Sequence, residues 1–71
     1  MTNSVRLQNL ITGLVLIQRD EPEAEMGTAE DFNGVTVFCI GDTEKHSAKT
    51  LESLKLLNFD TSGEWFEFRL G

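Results

Sequence analysis

The sequence predicts an α+β fold: a three-stranded, mostly antiparallel sheet packed on two helices, in the order α-β-β-α-β. Three observations carry that prediction. Leu7, Leu10, Ile11 and Leu14 recur at helical spacing near the N-terminus. Asn33-Gly34, the preferred pair for a two-residue hairpin turn, stands between two candidate strands. Near the C-terminus Phe66, Phe68 and Leu70 alternate with Trp65, Glu67 and Arg69, the period of a strand.

The first element, Ser4–Arg19, reads most simply as a helix with Ser4 as its N-terminal cap. Val15 and Ile17 are β-branched, so a strand from Leu14 to Gln18 after a stop at Gly13 is the alternative. Pro22 ends the element, because proline lacks an amide donor and turns the preceding residue away from helix. A type I′ turn at Asn33-Gly34 would pair Phe32 with Val35, Glu30 with Val37 and Thr28 with Cys39. The first strand, with its acids and Gly27, has the composition of a solvated edge. Val35–Ile40 is β-branched and aromatic and reads as the second strand.

Gly41-Asp42-Thr43 breaks that strand, and Asp42, Thr43 or Ser47 can cap a second helix reaching about Leu57. Ala48, Leu51, Leu54 and Leu57 or Asn58 form its apolar side. Asn58 tolerates the left-handed conformation that terminates a helix, which would fold Phe59 back on Leu54. The last strand is expected over Glu64–Leu70. Residues 1–71 then form a single domain without repeats or linkers, since 71 residues support one small core.

Charge is the most informative feature for function. Asp20, Glu21, Glu23, Glu25, Glu30 and Asp31 follow one another with no Lys or Arg between them. Elsewhere acids and bases balance, so the net charge of −6 belongs to this segment. Such a field attracts basic surfaces and repels nucleic acid. Glu23 and Glu25 on one face of a strand would stand about 6–7 Å apart, close to the spacing of phosphates along one nucleic-acid strand. Two readings of the segment stay open: a solvated loop and edge strand that supplies solubility, and a mimic of phosphate spacing that occupies a basic groove on another protein.

No catalytic set emerges, and the chain is not expected to be an enzyme. Phosphate-binding glycine loops, nucleophile elbows and paired catalytic carboxylates are missing from the sequence. Cys39 lies mid-strand among apolar residues and reads as an inert thiol, and His46 lies in a polar helix start and reads as a surface histidine. One cysteine and one histidine do not make a structural zinc site. Asp31-Phe32-Asn33-Gly34 matches part of a calcium loop, but Ala29 and Ile40 would occupy its first and twelfth ligand positions, so the motif fails. No metal or cofactor is expected. The six bases are dispersed, which argues against direct nucleic-acid binding. A lone cysteine, a start without the pattern of a signal peptide and short apolar runs point to the cytoplasm and away from the membrane.

Trp65 falls on the sheet face opposite Phe66 and Phe68, beside Glu67 and Arg69. With helices covering the other face, an aromatic there would anchor an interface. Phe38 joins it as a candidate anchor, because both faces of the second strand are apolar. That feature also favours a homodimer through the open face.

The arrangement resembles a loose group of small acidic proteins of bacteriophages and prophages. The matching pieces are Gly13-Leu14, Ala24–Asp31, Val35–Ile40, Leu54 with Leu57-Asn58-Phe59, and Trp65-Phe66-Glu67-Phe68. Asn58 stands where the pattern has glycine, and Phe59 where it has tryptophan. The resemblance implies an origin in genomes whose small acidic proteins bind and block host machinery, anti-CRISPR inhibitors among them.

The expected function is an inhibitor, in the host cytoplasm, of a nucleic-acid-binding host protein or complex with a basic surface. Glu21, Glu23, Glu25, Glu30 and Asp31 supply the field, and Phe38, Trp65 and Glu67 the contact face. The alternative is a self-associating accessory domain whose acids only keep a homodimer soluble.

Overall fold

The computed structural model describes residues 3–70. The element order is α1 (Asn3–Asp20), β1 (Met26–Glu30), β2 (Thr36–Ile40), a 3-10 turn (Thr43–Lys45), α2 (Ala48–Leu56) and β3 (Phe66–Arg69). The strands form one antiparallel sheet in the order β1-β2-β3. This is the expected α+β architecture.

Residues 14–18 are helical. Gly13 does not stop α1; it makes room for a ring. A Cβ added there would lie 2.1 Å from Cε1 of Phe59, so the helix accepts a glycine to let Phe59 rest on its backbone. A mid-helix glycine costs about 1 kcal/mol against alanine, and the contact offsets that cost. α1 already includes Asn3 and Ser4, so Ser4 lies in the first turn and is not the cap.

The far side of that contact is the end of α2. Asn58 has φ of 71°, the Asn58 N–H donates to the Lys55 carbonyl, and the Phe59 N–H donates to the Leu54 carbonyl. These two bonds and the left-handed residue make a Schellman ending, as the Leu57-Asn58-Phe59 sequence led us to expect. The start of α2 is sharper than expected. Asp42 caps the 3-10 turn, Ser47 caps α2, and the two pieces are separate.

The hairpin differs from expectation by one residue. Glu30 pairs with Thr36, Thr28 with Phe38 and Met26 with Ile40. The cause is the side chain of Asp31. Its Oδ1 accepts the N–H groups of Asn33 (2.8 Å) and Val35 (2.9 Å), while the Gly34 N–H donates to the Asp31 carbonyl. Asn33 keeps negative φ and only Gly34 is left-handed, at 76°. The connection is therefore a three-residue loop with a glycine bulge in place of a two-residue type I′ turn. A one-residue shift exchanges the faces of β1 relative to β2. Met26 and Thr28 consequently lie on the same face as Ile40 and Phe38.

That face packs on the helices. Across β2 and β3, Phe38 stands opposite Phe68 and Ile40 opposite Phe66. Ile17 of α1, Leu54 of α2, Phe59, Ile40, Phe66 and Phe68 form the buried core. On α1 the buried line runs through Gly13 and Ile17 to Glu21, whereas Leu7 and Ile11 of the expected apolar face are largely exposed. On α2, Leu54 is buried with Leu51 and Leu57 packed beside the core, but Ala48 is exposed. No helix among the described residues is long and apolar enough to cross a membrane.

Candidate functional site

The acidic segment divides into carboxylates that hold the fold and carboxylates that face solvent. Glu21 belongs to the first kind. It is 8% exposed, and its Oε1 accepts the Asp42 N–H (2.9 Å) and meets Nε2 of His46 (2.9 Å). Because the carboxylate is an acceptor here, the proton between them is placed on Nε2. The His46 side chain has no exposed surface and stands edge-on to Phe66 at 5.1 Å. Its Nδ1 has no hydrogen-bond partner among the described residues and lies 3.9 Å from Oδ2 of Asp20. Both expectations for this region are therefore corrected. His46 is not a surface histidine, and Glu21 is not free to face a partner. Gly41 completes the arrangement: its φ is 62°, and a Cβ there would lie 2.7 Å from Oε1 of Glu21.

Asp31 is also committed to the fold. Besides closing the hairpin loop, it pairs with Arg69 of β3. The Val35 N–H holds its carboxyl below the ordinary value of 3.8, against some desolvation, with help from the Asn33 N–H and Arg69. Four acids of the segment are exposed, Asp20, Glu23, Glu25 and Glu30, and Asp20 lies 3.6 Å from Nε of Arg19 and accepts from the Thr50 hydroxyl. Lys45 shares a shallow depression with Glu23, Pro22 and Asp20, which leaves Glu25 and Glu30 as the least compensated charges.

Those two residues bracket β1, an edge strand exposed along its whole length. In an antiparallel pair, residues alternate between bonding the neighbour and pointing their polar groups away. Asp31 bonds Val35, and the Gly41 N–H donates to the Glu25 carbonyl, so the odd-numbered residues face β2. Met26, Thr28 and Glu30 therefore present their N–H and C=O groups at the open edge. The opposite edge is better covered. There Asp60 bridges Glu67 with bonds of 2.8 and 3.1 Å. Glu67 is thus partly buried and engaged through its backbone.

Trp65 is 44% exposed, but it does not share a face with Phe38. Phe38 stands opposite Phe68 and packs against the core, so it cannot anchor a partner on the open face. Trp65 instead lines a recess with Gly41, Asp42, Glu44 and Glu64 at the end of the sheet where Glu25 enters β1. Counted along the sequence, those three acids are balanced by bases elsewhere in the chain. Their grouping around an aromatic depends on the turn at Gly41 and was not visible in the spacing. The face opposite the helices offers little apolar surface, because Val37 is buried and Cys39 partly so.

Apolar exposure lies elsewhere. Ile11, Val15 and Met26 are 47%, 61% and 56% exposed, and with Leu14, Ala24 and Ile40 they line an open groove between α1 and the start of β1. The groove follows from the hairpin register, which turns Met26 toward α1. No cluster of three or more His, Cys, Asp or Glu side chains that could hold a metal ion occurs among the described residues.

No protein-family model, curated protein or solved structure matches this chain.

Proposed function

We propose that this protein binds a basic surface of a nucleic-acid-binding protein and blocks it, in the manner of the small inhibitors of phages and mobile elements. The observation that supports this reading is the pair Glu25 and Glu30 at the two ends of a bare strand edge, with no base paired to either among the described residues. Asp42, Glu44 and Glu64 around Trp65 extend the same sign of charge to the end of the sheet. A field of one sign steers a basic partner and disfavours nucleic acid itself. Trp65 supplies an aromatic of the kind that anchors interfaces. The His46–Glu21 pair does not compete as a reactive centre, since the ring has no exposed surface through which a substrate would reach it.

The test is a tagged pull-down from bacterial lysate at low and high salt, with the Glu23→Lys/Glu25→Lys variant alongside. The reading expects a nucleic-acid-binding protein retained by wild type, weakened by salt and lost with the variant. Capture of the same set by both proteins contradicts it.

Self-association is the second reading, and the exposed apolar groove beside β1 favours it. It predicts a dimer by sedimentation that survives the charge reversal and dissociates when Val15→Asp is introduced.

A further inference from the structure

We infer that the open edge of β1 receives an extended basic segment of the partner as a fourth strand, whose inward side chains enter the groove under α1. The inference rests on the binding reading above and specifies how the partner is held.

Three features converge on one strip of surface. Among the described residues, the backbone donors and acceptors of Met26, Thr28 and Glu30 point away from β2 along the open edge. An added strand would run about 4.8 Å outside β1, and alternate side chains would point to the helix face. On that side lie Ile11, Val15 and Met26, exposed apolar residues lining an open groove of about 360 Å³. Backbone pairing supplies affinity, and the groove selects apolar residues at every second position.

Charge decides the occupant. A second copy adding β1 to β1 in antiparallel fashion about Thr28 would set Glu25 opposite the other copy's Asp31, and Glu30 opposite its Met26. Like charges facing across strands are destabilising. A segment alternating basic and apolar residues fills the groove with its apolar side and, on the opposite face, meets Glu25 with opposite charge. The occupant is therefore a basic, β-prone segment of another protein.

The probe is a synthetic peptide of about seven residues alternating lysine and valine, long enough to span the edge. Controls are a glutamate–valine peptide and a lysine–valine peptide N-methylated on the amides that would face β1. Amide hydrogen exchange is followed residue by residue in the 71-residue protein. The inference expects the lysine–valine peptide to slow exchange at Met26, Thr28 and Glu30 at least tenfold and to shift the methyl signals of Ile11 and Val15. It expects N-methylation of the peptide, or Thr28→Pro in the protein, to weaken binding at least tenfold. Proline at Thr28 removes an outward N–H and no bond to β2, and the methylated peptide gives the same test without altering the protein. No binding, or binding that leaves those amides exchanging as in the free protein, overturns strand addition. A peptide held equally well after N-methylation also overturns it, while leaving the acidic-surface reading to stand on the pull-down.

Discussion

Nε2 of His46 lies 2.9 Å from Oε1 of Glu21, and neither side chain is available to solvent to any useful extent. This pair joins the end of α1 to the turn before α2. Glu21 also accepts the Asp42 N–H, so one carboxylate organises the turn that leaves β2. It explains why the first acids of a strongly acidic segment do not all face solvent. Glu21 is spent inside the molecule, and the field comes from residues farther along the chain.

Removing one member of that pair is therefore expected to be costly. Glu21→Ala strands a buried imidazole and the Asp42 N–H, and should lower unfolding free energy by about 3 kcal/mol. Urea denaturation measures it. A change below about 1 kcal/mol would show that the pair is not holding the turn.

Gly13 gives a second, opposite-looking prediction. Alanine is the better helix former, yet Gly13→Ala should destabilise by about 1–3 kcal/mol, because the methyl collides with Phe59. Adding Phe59→Leu should recover part of the loss, since the smaller side chain releases the space. Thermal unfolding of the two single variants and the double variant gives the coupling.

Asn58 separates conformation from contact. Its φ of 71° favours glycine, so Asn58→Gly should be neutral or slightly stabilising. Asn58→Ala should cost about 1 kcal/mol, the penalty of a Cβ in the left-handed region. Equal stability of the two variants would contradict the Schellman ending.

How far the sequence discloses this molecule depends on how local each cause is. The ending of α2 is legible because Asn58 and Phe59 act within one turn of helix. The edge character of β1 is legible because its composition is unsuited to burial. The hairpin register is not, since Asp31 turns its carboxylate onto the loop amides and changes the loop from two residues to three. Apolar spacing pointed to Leu7 and Ile11, yet the helix is rotated so that Gly13 and Ile17 face the core. That rotation is set by Phe59, more than forty positions away. His46 sits among polar neighbours in sequence, and only the approach of α1 buries it. Of the acidic surface, Glu23, Glu25 and Glu30 could be named from charge alone, whereas the recess at Trp65 required the fold.

Acid should weaken the fold through Asp31 and Asp60. Hydrogen bonds hold both carboxyls below 3.8, from Val35 foremost at Asp31 and from Ser62 at Asp60. A carboxyl with a lowered folded value stabilises fully above its unfolded value and loses that contribution as pH falls through the folded value. Unfolding free energy should therefore decline as pH drops below about 4. Asp31→Asn should flatten that decline. A variant retaining the full acid dependence would contradict the assignment.

The central claim is that the acidic edge occupies a surface otherwise used by nucleic acid. The most direct measurement is competition. The protein retained in the pull-down is bound to a fluorescent oligonucleotide, and this chain is titrated in while anisotropy is followed. The account predicts that wild type displaces the oligonucleotide, that Glu25→Lys/Glu30→Lys does not, and that added salt weakens the displacement. An oligonucleotide that stays bound while this chain also binds would place the contact elsewhere and contradict the claim.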